Sequence, residues 1–116
     1  MKRNNQVTLD GEVLDTRVGQ TEMGVPWVRF SLRTEWTDGG THQIIAYGRL
    51  AAEIVIFVQE AETAELPLDV TLRGWLRSIN GCAEVVAERV TFHLPRDVRK
   101  RAVARVRELL RGNGVG

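Results

Sequence analysis

The sequence predicts an all-β fold: a small barrel of five strands, with one helix between the third and fourth strands and an amphipathic helix at the C-terminal end. Three observations carry this prediction. Five segments alternate apolar and polar residues with the period of two that is typical of half-buried strands. Two further segments have apolar residues at helical spacing. The chain has 116 residues, 43% of them hydrophobic, which is enough for one core and one domain.

The first predicted strand runs from Asn5 to Thr16 and keeps its apolar residues on one face. Gly11 lies on that face, and a glycine at a core-facing position of a strand indicates a bend or a close approach of two backbones. After this strand, Gly19, Gly24 and Pro26 predict a loop.

The second predicted strand runs from Val25 to Trp36, and its outward face carries Trp27, Arg29 and Arg33. These three side chains are candidates for contact with a ligand. Trp27 is equally suited to cover the edge of the core, and the arginines to a solvated surface. A turn is predicted over residues 37–40 (TDGG), so the second and third strands should form a hairpin.

The segment from Thr41 to Glu53 (THQIIAYGRLAAE) joins the third strand to the first helix. Strand-forming residues run to Tyr47, and apolar residues at helical spacing predict a helix over residues 50–58. Alternation places Tyr47 on the strand face opposite to His42. Tyr47 and Arg49, two residues apart, place an aromatic ring and a cation at the junction between the strand and the helix.

An acidic, exposed loop is predicted over Glu60 to Pro67, followed by a fourth strand over Leu68 to Ile79. The outward face of the fourth strand carries three candidates for ligand contact, Arg73, Trp75 and Arg77. They suit either a nucleic-acid ligand or a subunit interface. Asn80-Gly81 is a strong hairpin signal, and the fifth strand is predicted over Cys82 to Leu94.

Residues 96–116 are predicted to form a basic amphipathic helix and a short tail, outside the domain formed by residues 1–95. Seven basic and two acidic residues give residues 96–111 a charge of +5, which leaves −4 for the other 100 residues. The apolar stripe of the helix, predicted over Asp97 to Arg111, suits docking on the barrel or on a second subunit. The basic face also suits a supplementary contact with DNA or a membrane surface, although the stripe has no aromatic anchor.

Five strands with one helix between the third and fourth is the order of the OB-fold, a small barrel that often binds oligonucleotides or oligosaccharides. Four local motifs add to this order: Asn5-Gln6-Val7-x-Leu9-x-Gly11, Phe30-Ser31-Leu32, His42-x-Ile44-Ile45-x-Tyr47-Gly48-Arg49-Leu50 and Val70-x-Leu72-x-Gly74. Taken together, their order and spacing resemble the bacterial single-stranded DNA-binding protein family. The resemblance runs from about Asn5 to Leu94.

What the resemblance implies is a homo-oligomer, usually a tetramer and otherwise a dimer, that binds single-stranded DNA without sequence preference. Such proteins stack bases on aromatic rings, at about 1–3 kcal/mol per base, and follow the phosphates with Lys and Arg. By position, Tyr47 matches the family's stacking aromatic, Arg49 its following basic residue, and Trp36 one of two family tryptophans. His42 matches a histidine at a subunit contact. Strand alternation and the basic N-terminus add further predicted contacts with nucleic acid: Trp27, Arg29, Arg33, Arg73, Trp75, Arg77 and Arg3.

Other functional classes lack support in the sequence. No apolar run reaches the roughly 18 residues of a membrane helix, and the N-terminus has no apolar signal segment, so a cytoplasmic protein without membrane contact is expected. Cys82 is the single cysteine, which excludes an internal disulfide and a cysteine-cluster zinc site. His42 and His93 have no neighbours at metal-ligand spacing, and no phosphate loop or nucleophile motif appears. We expect no enzyme, no metal and no cofactor.

Two functional hypotheses follow. In the first, the protein coats single-stranded DNA during replication, recombination or repair. In the second, it resembles a primosomal OB protein whose same surface mainly holds a partner protein, such as a replication or repair protein. The charge of −4 outside residues 96–111 favours the second hypothesis. So does the basic segment that stands where the family has a disordered tail with an acidic tip.

Overall fold

The computed structural model describes residues 5–34 and 40–115, with side chains to residue 112. The predicted order of five strands and two helices is confirmed: β1 (Gln6–Gln20), β2 (Pro26–Arg33), β3 (Thr41–Tyr47), α1 (Gly48–Thr63), β4 (Asp69–Ile79), β5 (Cys82–His93) and α2 (Arg96–Val115). The strands close into a barrel in the order β1-β2-β3-β5-β4. Only the contact of β3 with β5 is parallel; the other strand pairs are antiparallel.

β1 is long because it serves two neighbours. Its first half pairs with β4 and its second half with β2, with a shift of register between Leu14 and Arg17. Asp15 takes a left-handed conformation at this irregularity, with φ of 53°. The predicted close approach at Gly11 is confirmed, since a Cβ there would lie 2.4 Å from the backbone oxygen of Arg33.

The prediction of a loop at Gly19 is wrong, because β1 continues to Gln20. Gly19 pairs with Trp27 of β2, and a Cβ on Gly19 would lie 2.3 Å from Cζ2 of the tryptophan ring. The missing side chain therefore makes room for the ring to lie against the backbone of β1. The tight turn that follows is closed by Gly24, whose amide donates to the Thr21 carbonyl oxygen at 2.9 Å.

The core fills the barrel with alternate residues of its strands, and α1 contributes buried side chains to the same core. The largest fully buried side chains are Phe30, Leu32, Ile44, Ile45, Ile54, Leu72, Val28 and Val70. Phe57 of α1 stacks on Phe92 of β5, with ring centroids 3.9 Å apart and 8° between the planes. Aromatic packing of this kind anchors α1 to the barrel.

α1 extends beyond its predicted end at residue 58 and reaches Thr63, so residues 60–63 of the predicted acidic loop are helical. β-Branched residues lower helix propensity over the middle of this segment. Burial overrides that preference, since Ile54 and Ala61 are 0% and 2% exposed.

α2 packs against α1 through Val98 and Ala102, which are 4% and 0% exposed. Of the predicted stripe, Leu109 is instead exposed. Glu60 of α1 also binds α2: its Oε1 lies 3.5 Å from Nε of Arg101, and its Oε2 lies 2.9 Å from Nη1 of Arg105. Within the described ranges, neither helix is long and apolar enough to cross a bilayer.

Candidate nucleic-acid interface

The outer face of β2, β3, β5 and β4 collects most of the predicted binding residues. Trp27 of β2 lies directly opposite Tyr47 of β3. Two pairs further along, Arg29 lies opposite Ile45, which pairs with Val86 of β5. Val86 in turn pairs with Trp75 of β4. Strand pairing therefore brings residues that are up to 59 positions apart in sequence, Trp27 and Val86, into one continuous surface.

Two apolar residues form the floor of this face. Ile45 and Val86 alternate with the core residues of their strands, so they point outward, yet they are only 2% and 8% exposed. Neighbouring side chains of the same face must therefore cover them. Covered apolar residues on the outside of a barrel give the long polar side chains above them a fixed base.

Glu84 lies at the centre of the face, and among the charged residues that the structure describes it is the least exposed, at 8% of the whole residue. Its Oε2 accepts a hydrogen bond from Nε of Arg29 at 3.0 Å. Its Oε1 accepts from Nε and Nη2 of Arg77 at 3.2 and 3.1 Å. One carboxylate thus holds two guanidinium groups from different strands, and charge-assisted hydrogen bonds of this kind are the strong ones in proteins.

Each of these arginines also lies over an aromatic ring. Cζ of Arg29 is 5.5 Å from the ring centroid of Trp27, and Cζ of Arg77 is 5.5 Å from that of Tyr47. Both separations suit a cation–π contact. We call Glu84, Arg29, Arg77, Trp27 and Tyr47 the Glu84 cluster.

Tyr47 is tied to Arg77 twice, because Nη2 of Arg77 also donates to its hydroxyl oxygen at 2.5 Å. This hydrogen bond first, and then the contact with Glu84, raise the pKa of Arg77 above its ordinary value, although partial burial acts in the opposite direction. Arg77 therefore stays cationic over the whole pH range in which a protein is handled.

The remaining predicted residues lie around the Glu84 cluster. Arg33, nearer the end of β2, forms an ion pair with Glu12, whose Oε1 is 2.5 Å from Nη2. Arg49 is exposed in the first turn of α1, two residues after Tyr47. Arg73 is exposed opposite Thr8 and Arg89.

Trp75 is half-buried opposite Gln6 and Val86, next to the covered floor. His42 is exposed opposite Leu32, on the strand face that points into the barrel further along β3. Trp36 and Arg3 lie outside the described residues. The structure thus brings Trp27, Arg29, Tyr47, Trp75 and Arg77 together and keeps Arg33 and His42 nearer the strand ends.

The sequence prediction missed Glu84, the residue that connects the others. The sequence did contain a signal for one of its two contacts, the contact with Arg77. A two-residue turn at Asn80-Gly81 fixes the register of a hairpin, and that register pairs Arg77 with Glu84. The contact with Arg29 had no such signal, because it depends on the parallel pairing of β3 with β5.

A five-stranded barrel with one helix between β3 and β4 has the arrangement of an OB-fold. The sequence matches no protein-family model and no curated protein at a significant level. Solved structures do match. The wild-type single-stranded DNA binding protein from Thermus aquaticus gives a TM-score of 0.61 at 22% identity, over 78% of this chain and 41% of that one. This chain therefore spans less than half the length of that protein.

Two PriB structures match over their whole length. A dimeric structure of the N-terminal domain of PriB from Thermoanaerobacter tencongensis gives a TM-score of 0.56 at 22% identity and covers 80% of this chain. PriB from Ralstonia solanacearum gives 0.58 at 13% identity over 79% of this chain. This chain covers 100% of both. At these identities the likeness establishes the fold that the three proteins share with this chain.

Proposed function

We propose that this protein binds single-stranded DNA without sequence preference along the outer face of β2, β3, β5 and β4. The main observation that supports this proposal is the Glu84 cluster, in which two aromatic rings from neighbouring strands lie beside two arginines on an open sheet face. Every base has a face that can stack on a ring, and every nucleotide has a phosphate that attracts a guanidinium. Neither contact reads the sequence of the strand.

In this proposal the residues divide by chemistry. Tyr47 and Trp27 stack bases, while Arg29 and Arg77 bind phosphates between them. Arg49, exposed beside Tyr47, extends the cationic path toward α1, and other predicted contacts extend it around the face: Arg73, Trp75, Arg33, Trp36 and Arg3. The binding domain is the barrel with α1, within residues 1–95, and α2 packs against α1.

The fold supports this proposal, because proteins named for single-stranded DNA binding share it. In this proposal the protein is a homo-oligomer, a tetramer or otherwise a dimer, with His42 at the contact between subunits. The dimeric PriB domain supports the homo-oligomer. The proposed role is structural, in DNA replication, recombination or repair in the cytoplasm at the nucleoid, without catalysis or a cofactor.

A second candidate is an interaction module that mainly binds a partner protein, such as another replication or repair protein. One observation favours it: Glu84 and Glu12 offset the charge of three arginines of the face. A face with few net positive charges attracts a phosphate backbone weakly and suits a protein surface with mixed charges.

Titration separates the two candidates. Fluorescence anisotropy of labelled oligo-dT, and of a labelled duplex of equal length, measures binding at low and high salt. We expect oligo-dT to bind more tightly than duplex, with tryptophan emission quenched by stacking and affinity that falls as salt rises. If oligo-dT leaves the emission unchanged and forms no complex at low salt, the single-stranded DNA proposal is lost and the interaction module stands.

A further inference from the structure

The two arginines of the Glu84 cluster are held in a position that blocks the contacts proposed for them. Arg29 and Arg77 each satisfy guanidinium donors on Glu84, at 3.0 to 3.2 Å. Each also lies 5.5 Å from the centroid of an aromatic ring. In this arrangement the cations face a carboxylate instead of a phosphate, and guanidinium groups cover the rings that a base would stack on.

Glu84 is more deeply buried than the two arginines that it binds. The side chain of Glu84 is 10% exposed, whereas those of Arg29 and Arg77 are 46% and 26% exposed. The carboxylate of Glu84 therefore lies in the floor of the face, and the two arginines lie above it, in contact with solvent. A carboxylate and a phosphate offer a guanidinium the same paired acceptor geometry, so a strand can take over these arginines by exchange.

We propose that Glu84 is the positioning residue that sets the affinity of this face for single strands, by competing with phosphate for Arg29 and Arg77. The proposal rests on the proposed function. When a strand binds, each arginine exchanges Glu84 for a phosphate and uncovers its ring for a base. Glu84 thus lowers the affinity for single strands and makes binding reversible.

The test compares four proteins: the wild-type chain, Glu84→Gln, Glu84→Asp and Glu88→Gln. Gln keeps an acceptor at the same place but removes the charge. Asp keeps the charge but is one methylene too short to hold both arginines. Glu88 is an exposed residue of the same strand, so Glu88→Gln makes the same change of net charge away from both arginines.

We expect Glu84→Gln to bind oligo-dT about tenfold more tightly than wild type at low salt. The slope of log affinity against log salt should stay within about 0.7 of wild type, the contribution of one phosphate contact, because both proteins make the same phosphate contacts once the strand is bound. Glu84→Asp should give a smaller gain, and Glu88→Gln less than about a twofold gain, because an exposed charge is strongly screened. The quenching of tryptophan emission should saturate at a lower oligo-dT concentration in the Glu84 variants than in the wild type.

Circular dichroism and thermal unfolding show which variants are folded. If Glu84→Gln does not fold, Glu84→Asp carries the test. A folded Glu84 variant that binds no more tightly than Glu88→Gln overturns the proposal, and so does one that binds more weakly. If neither the wild type nor any variant binds oligo-dT, the proposed function fails. If all four bind equally, only the role of Glu84 fails.

Discussion

Two clusters in this protein each have one glutamate that binds two arginines, but their surroundings differ. Glu84 on the barrel holds Arg29 and Arg77, and Glu60 of α1 holds Arg101 and Arg105 of α2. The glutamate side chains are 10% and 12% exposed, so both are largely buried under their arginines. We call the second group, completed by Gln59, the Glu60 cluster; Gln59 accepts from Nη2 of Arg105 at 2.7 Å.

The difference lies in what the arginines cover. In the Glu60 cluster they connect two helices beside the buried contact of Val98 and Ala102, so the cluster fixes one element on another. In the Glu84 cluster they lie over Trp27 and Tyr47 on an open face. An ion pair beside a closed apolar contact serves assembly, whereas an ion pair over half-buried rings on an open face is available to a ligand. The following predictions test that distinction.

The largest effect is expected at the helix contact. Ala102→Glu places a charge where the side chain is fully buried, and should lower the free energy of unfolding by about 3 kcal/mol. Urea unfolding measures this loss, with Ala104→Glu on the exposed face of α2 as the control. Oligo-dT affinity should stay close to wild type while the barrel is folded. A large loss of affinity in a folded variant would mean that α2 takes part in binding.

The next effect is on binding. Tyr47→Ala removes the proposed stacking ring and should weaken oligo-dT binding by about 1–3 kcal/mol, which is about 5- to 150-fold. Tyr47→Phe keeps the ring and loses only the hydrogen bond from Arg77, so its affinity should stay near wild type. Anisotropy titration measures both variants. Full affinity in a folded Tyr47→Ala variant would place the stacking surface elsewhere.

Glu60→Gln tests the helix cluster directly. It should lower the free energy of unfolding by about 1 kcal/mol, because two ion pairs between α1 and α2 lose their charge, and should leave oligo-dT affinity unchanged. Glu62→Gln, exposed near the same helix end, is the matched control. A gain of affinity in Glu60→Gln, like that expected of Glu84→Gln, would remove the distinction between the two clusters.

The smallest effect is expected for Glu12→Gln, which releases Arg33 but uncovers neither ring of the Glu84 cluster. The Arg33 side chain is 51% exposed, and exposed ion pairs contribute about 0–1 kcal/mol, so stability and affinity should both change little. Urea unfolding and salt-dependent anisotropy check this expectation. If affinity rises as much as in Glu84→Gln, the number of released arginines, and not the uncovering of rings, controls binding.

The barrel could be predicted from the sequence because its signals are local. Alternation placed Trp27, Arg29, Tyr47 and Arg77 on outward faces, and the structure confirms those orientations. Gly11 was predicted to allow close backbone approach, and it does. The predicted end of α1 was wrong, because β-branched residues and three glutamates suggested a loop. In the structure, burial of Ala61 and ion pairs with α2 keep this segment helical.

The composition of the Glu84 cluster could be predicted only in part. Glu84 stands in the segment CAEVVAERV, where it resembles any outward strand residue. Its contact with Arg29 joins residues 55 positions apart and requires three strands to be in register. Non-local pairing of this kind leaves no periodic trace in a sequence. The burial of Ile45 and Val86 under neighbouring side chains could not be predicted either, because alternation assigns both residues to the outward face, like exposed residues.

The short hairpin between β4 and β5 has a practical consequence. It places Cys82, the single thiol of the sequence, in an exposed position at the start of β5, two residues from Glu84 and on the same side of the strand. A maleimide dye attached there reports from beside the carboxylate, in a protein without engineered residues. Stopped-flow mixing with oligo-dT then gives the rate at which the arginines leave Glu84, a quantity that equilibrium titration does not provide.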